Sequence, residues 1–92
     1  MPIIRFTPRF TKTNRKFTKH NLQRIEAVKK TLRLFQKNPQ YPSLNLEKLS
    51  GSEVWSIRID RGNRMFFTWS DGRDSAIFFL VGPHDCYKTI EK

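Results

Sequence analysis

The sequence predicts an α+β domain: a small, mostly antiparallel sheet of about four strands packed by two N-terminal helices, with room for a short helix at the C-terminus. Three observations carry this. Apolar runs at Val54–Asp60, Arg64–Trp69 and Ser75–Val81 are separated by the turn-forming stretches Arg61-Gly62-Asn63 and Asp71-Gly72. Leu22, Ile25, Val28, Leu32 and Phe35 recur every three or four positions, the stripe of an amphipathic helix. A chain of 92 residues has room for one domain, residues 1–92, and one core.

In chain order, Ile3-Ile4-Arg5-Phe6 is a short strand ended by Pro8, and residues 10–17 add a helical turn with Phe10 and Phe17 as its apolar contacts. The long helix takes Thr18 as its N-cap, with Phe17 and Leu22 placed to close a hydrophobic staple, and it ends at Asn38-Pro39. Its stripe is read as packing on the sheet, not as a cofactor groove. Residues 39–53, with Pro39, Pro42 and Gly51, carry loop chemistry, while Leu44, Leu46 and Leu49 pin the segment to the body.

Alternate residues of a strand point to opposite faces, so the first hairpin has a definite expected register. A three-residue loop over Arg61-Gly62-Asn63, with Asn63 left-handed, sets Asp60 opposite Arg64, Arg58 opposite Phe66 and Ser56 opposite Thr68. Ile59, Ile57 and Trp55 then meet Met65, Phe67 and Trp69, giving one apolar face and one that carries two arginines. A two-residue loop is rejected because it mixes the sets. Across Asp71-Gly72, Ala76, Phe78 and Leu80 fall on the apolar face and Ile77, Phe79 and Val81 on the arginine face. Residues 76–81 are apolar without alternation, so this strand is expected in the interior of the sheet, as its central strand.

The net charge of +10 lies in one part of the chain: residues 1–37 hold eleven lysines and arginines against a single acid, Glu26, while the rest is balanced. A half-molecule with that balance attracts a polyanion, and nucleic acid is the expected partner. Lys29, Lys30 and Arg33 on the long helix are candidate RNA contacts, with Lys48, Arg61 and Arg73 from the second half. A solvated helix face is the bland alternative for any one of these lysines. The single cysteine, Cys86, allows no internal disulfide and suits a reducing cytoplasm. No apolar run approaches the ~20 residues that span a bilayer, and Arg5, Pro8 and Arg9 interrupt any signal-peptide core.

Several motifs stand together: Asn38-Pro39, Pro42-Ser-Leu44, Leu46-Glu-Lys-Leu49, Gly51, Trp55-Ser-Ile-Arg-Ile59, Asn63-Arg-Met-Phe-Phe67, and Gly82-Pro-His-Asp85 with Tyr87. This pattern resembles the RelE/ParE toxin superfamily of bacterial toxin-antitoxin modules over nearly the whole chain, most specifically from about Pro42 to Tyr87. The resemblance implies a RelE-like fold, a cognate antitoxin as partner, and cleavage of messenger RNA in the ribosomal decoding site. A ParE-like branch, which poisons DNA gyrase and lacks the catalytic set, is the alternative, with an inactive binding module as a third. The lysine-rich site of the RelE prototype is represented here only by Lys48. The glutamate-histidine pairing of the YoeB-like branch is not placed from the sequence.

Cutting RNA without a metal requires a base for the 2′-hydroxyl, cations for the growing phosphoryl charge and an acid for the leaving 5′-oxygen. The two histidines, His20 and His84, lie far apart and the acids are scattered, so neither a metal site nor a cofactor is expected. His84 is the candidate acid or base, since an imidazole titrates near ~6.5. Arg58 and Arg64 are the candidate phosphate ligands, with Asp60 holding Arg64 in place. Tyr87 is the fourth candidate, to orient the 2′-hydroxyl, take its proton or stack on a base, with a core anchor as the alternative. Phe66 and Phe79 could stack a splayed base, but a helix or loop covering them is the preferred reading.

Overall fold

The computed structural model describes residues 2–86. Strand β1 (Ile3–Phe6) leads into helices α1 (Pro8–Thr18) and α2 (Leu22–Lys37), and four strands follow: β2 (Glu47–Lys48), β3 (Trp55–Asp60), β4 (Asn63–Ser70) and β5 (Ser75–Pro83). They form a single sheet in the order β1-β5-β4-β3-β2, parallel between β1 and β5 and antiparallel elsewhere. The α+β architecture is the expected one, with a fifth strand, β2, in the segment read as loop. β5 is interior, as expected, but β4 occupies the middle of the sheet. The expected C-terminal helix lies outside the described residues.

Local chemistry explains the helix boundaries. α1 starts two residues before the expected turn because Thr7 caps it, its Oγ1 accepting the Phe10 N–H at 3.1 Å, and Pro8 occupies the first helical position. Thr18 does not cap α2. Its hydroxyl donates to the Asn14 carbonyl at 2.8 Å in the last turn of α1, and His20 turns the chain at φ 55°. Asn21 is the N-cap instead, accepting the Arg24 N–H at 3.0 Å, and Leu22 is 73% exposed, so no staple forms with Phe17. Arg24 closes the junction from the other side, donating to the Phe17 carbonyl at 3.1 Å with its guanidinium over the Phe17 ring. The end of α2 is as expected, the Asn38 N–H donating to the Leu34 carbonyl before Pro39.

Both helices cover one side of the sheet. Phe10, Phe17, Val28 and Phe35 from the helices meet Ile57, Met65, Phe67, Ala76, Phe78 and Val81 from the strands in a single core. Phe35 is fully buried at its centre, 5.0 Å from the Phe67 ring, 5.3 Å from Phe78 and 5.7 Å from Trp69.

Two bulges revise the register. Trp55, Ser56, Ile57 and Arg58 pair with Phe67, Phe66, Met65 and Arg64, and a register shift at Ile59 brings Asp60 opposite Asn63. The loop is thus the rejected two-residue one, Arg61-Gly62, and Asn63 belongs to the strand. The extra residue at Ile59 restores the phase that a plain two-residue loop would have lost, so the division into an apolar and an arginine face survives. The second bulge, at Phe79, lies between the pairs Phe66–Leu80 and Phe67–Phe78. It exchanges Leu80 and Val81: Val81 joins the core beneath the helices, and Leu80 joins Phe66 on the reverse face.

Candidate active site

The side of the sheet away from the helices carries two rows of residues. One runs Arg58, Arg64, Gly82 across β3, β4 and β5; the next runs Glu47, Ser56, Phe66, Leu80 from β2 to β5. Arg58 and Arg64 are direct cross-strand partners on the same face, closer than the two-position offset read from the sequence.

The two arginines differ in what holds them. Arg64 is 6% exposed; its Nε donates to the Ser56 hydroxyl at 2.8 Å and its Nη2 to the Asn45 carbonyl at 2.6 Å, with the Glu47 carboxylate 3.8 Å away. The Asn45 carbonyl is available because Asn45 adopts the left-handed conformation, φ 46°, after the short turn Pro42–Leu44. Burial pushes the Arg64 pKa below its ordinary value and the Arg58 charge pushes in the same direction, while Glu47 opposes both. An arginine stays charged under such shifts, so Arg64 is a fixed cation beneath this face. Arg58 is exposed, and its Nε reaches the Asp60 carbonyl at 3.3 Å.

Asp60 does not hold Arg64. Its carboxylate accepts from the Gly62 N–H at 3.1 Å and the Asn63 side-chain amide at 2.9 Å, bracing the hairpin loop, because the bulge moves it opposite Asn63. His84 is tied to that same loop: its N–H donates to the Gly62 carbonyl at 3.0 Å, continuing the β4–β5 ladder past the Asn63–Pro83 pair. His84 thereby takes the ladder phase of Gly82 and Arg64, and it is exposed, as is Arg61 beside it. Tyr87 lies outside the described residues. Phe66 is fully buried, so it presents no face to a base, and Phe79 is the bulge residue.

The remaining basic candidates are elsewhere. Lys48 pairs with Trp55, which assigns it to the helix side of the sheet, and the Arg73 guanidinium lies over Trp55 and Trp69 on that same side. Lys29, Lys30 and Arg33 are exposed on α2, in the layer that covers the other side of the sheet from Arg58; Lys29 is 3.7 Å from Glu26.

Glu47 is the residue the sequence reading missed. Pairing with Ser56 sets it on the arginine face beside Arg64, with its side chain 46% exposed. A two-residue strand is too short to show alternation, and only the acid next to a lysine at Glu47-Lys48 hinted at two faces. In strand order Glu47 on β2 and His84 just past β5 lie to either side of the β3–β4 arginine pair, with three strand steps of about 4.8 Å between β2 and β5.

By sequence, no family model and no curated protein matches the chain. Solved structures do. A YoeB/ParE toxin from Agrobacterium tumefaciens superposes with a TM-score of 0.74 at 17% identity, over 89% of this chain and 98% of that one. The fold is that of the RelE/ParE toxins. The toxin chain of the YoeB-YefM complex from Staphylococcus aureus matches with a TM-score of 0.70 at 20% identity (91% and 98% covered), and the E. coli RelBE toxin-antitoxin complex with 0.67 at 22% (92% and 99% covered). This chain covers 98–99% of those chains, and among the described residues α1 and α2 pack on the side of the sheet opposite the arginine pair.

Proposed function

We propose that the chain is the toxin of a bacterial toxin-antitoxin module and that it cuts messenger RNA on the ribosome, in the cytoplasm, using its own side chains for acid-base chemistry. The observation that carries this reading is the Arg58–Arg64 cross-strand pair on the side of the sheet opposite α1 and α2, with Glu47 beside Arg64. Arg58, exposed, binds the scissile phosphate, and the buried Arg64 charge stabilises the negative charge that grows on it. A base takes the proton of the 2′-hydroxyl, whose oxygen attacks phosphorus. The bond from phosphorus to the 5′-oxygen breaks, and an acid protonates the departing oxygen. Glu47 suits the first role and His84 the second, with Tyr87 assisting either. The eleven basic residues of the first 37 bind ribosomal RNA, with Lys29, Lys30 and Arg33 on the outer face of α2, and the ribosome positions the message. The YoeB and RelE neighbours are complexes with YefM and with RelB in the RelBE assembly, which supports a cognate antitoxin here as well.

One observation favours a second reading. Arg64 is held by Ser56 and Asn45 as a structural arginine would be, and a ParE-like inhibitor of DNA gyrase needs no catalytic set. Induction of the wild type and of His84→Ala in bacteria separates the two. Growth arrest with message cleavage that disappears in the variant supports the nuclease. Arrest unchanged in the variant, with intact messages and broken DNA, supports the gyrase inhibitor.

A further inference from the structure

Lys48 and Arg73 are candidate RNA contacts in the sequence, and the sheet places both on its other side from the arginine pair. There, with Glu53, Trp55 and Trp69, they line one concavity at the β2 edge. The Arg73 guanidinium lies 5.1 Å from the Trp55 ring centroid and 5.7 Å from that of Trp69. Stacking engages the flat face of a guanidinium and leaves its in-plane N–H donors available. Among the described residues no hydrogen bond or ion pair takes up those donors, and Glu53 forms no ion pair with either cation. This is the reverse of Arg64, whose donors are engaged inside the protein.

The backbone is bent to hold Arg73 there. Asp71, Gly72 and Arg73 are all left-handed, at φ 53°, 62° and 81°, and two of the three are not glycine. Such conformations persist where the surrounding structure fixes them, and they cluster at binding sites. Beside the same ring, the Trp69 indole N–H is buried with no acceptor among the described residues.

We propose that Arg73 and Lys48 bind the phosphodiester backbone of single-stranded RNA, as a second contact on the opposite side of the sheet from the arginine pair. The inference rests on the reading of the chain as an RNA-handling protein and extends it. A planar fork of donors beside an ammonium suits a phosphate. The route between the two sites is short. Glu47 and Lys48 are adjacent in β2, at the sheet edge, and face opposite sides, so an RNA strand leaving the arginine face reaches Lys48 by passing round that edge.

Trp55 and Trp69 are the two tryptophans of the chain, so intrinsic fluorescence reports on this site. The test titrates the full chain with a short single-stranded oligoribonucleotide, and in parallel with inorganic phosphate, following tryptophan emission. The wild type should give a saturable change with RNA, needing far more inorganic phosphate for the same effect. Arg73→Gly suits the left-handed backbone and removes the donors; Lys48→Ala leaves the stack intact. Each should weaken the RNA response about tenfold and flatten its salt dependence by about one phosphate contact. No emission change in the wild type, a response indifferent to both variants, or equal potency of inorganic phosphate would each overturn the proposal. Message cleavage measured on the same samples keeps the two readings apart: a wild type that cuts messages but gives no fluorescence response defeats only this inference.

Discussion

Arg58 and Arg64 face each other across β3 and β4, one exposed and one 6% exposed, so the same pair supplies a solvent-facing cation and a buried one. Two like charges opposite each other on a sheet repel, and the fold offsets that by giving Arg64 the Ser56 hydroxyl, the Asn45 carbonyl and the Glu47 carboxylate.

Stability and activity should therefore separate between the two arginines. Arg64→Ala strands the Asn45 carbonyl and leaves a cavity beneath the face, and it should lower unfolding free energy by about 2–4 kcal/mol. Arg58→Ala removes an exposed side chain and should stay within about 0.5 kcal/mol of the wild type while message cleavage is lost. Urea denaturation of both variants, beside cleavage assays, checks this. A strongly destabilised Arg58→Ala would mean that Arg58 is structural.

Glu47→Gln keeps the shape of the side chain and removes its charge. The partly exposed Glu47–Arg64 contact contributes little to stability, so the variant should unfold like the wild type. Cleavage should fall by about 10²–10⁴ if Glu47 takes the 2′-hydroxyl proton. Single-turnover cleavage on stalled ribosomes is the measurement, and an unimpaired rate would remove Glu47 from the chemistry.

The arginine face was legible in the sequence because strand alternation is a two-valued code, and two-valued codes survive an error of two residues. The expected hairpin register was off by two positions, yet Arg58 and Arg64 kept their side because Ile59 bulges. Leu80 and Val81 were not so protected: one extra residue at Phe79, invisible in an unbroken apolar run, exchanged them. Caps failed for a similar reason. Thr18 and Asn21 are both good N-caps, and the choice between them lay in the left-handed turn at His20. Glu47, Asn45 and the helix-side position of Arg73 depend on long-range pairing and on turn geometry that no local pattern encodes.

Cys86 gives a pH dependence with a definite sign. Burial and then the neighbouring Asp85 carboxylate push its thiol pKa up. A group whose pKa is raised by folding stabilises fully below its unfolded value and loses that contribution as pH rises through the folded one. Wild-type stability should thus decline as pH climbs above the ordinary thiol range, about 8.5. Lysines and tyrosines titrate nearby, so the readout is the difference between wild type and Cys86→Ser, measured by denaturant unfolding across that range. The two curves should converge at neutral pH and separate above it in the direction of a less stable wild type; parallel curves would contradict the assignment.

The chemistry proposed for the arginine face leaves a signature on its product. The most direct measurement is the end structure of messages cut on translating ribosomes by the purified chain. Attack by the 2′-oxygen leaves a 2′,3′-cyclic phosphate, or the monophosphate it opens to, on the upstream fragment and a 5′-hydroxyl on the downstream one, and Arg58→Ala and His84→Ala should abolish both. Fragments ending in 3′-hydroxyl and 5′-phosphate, or cleavage that persists in the two variants, would contradict it.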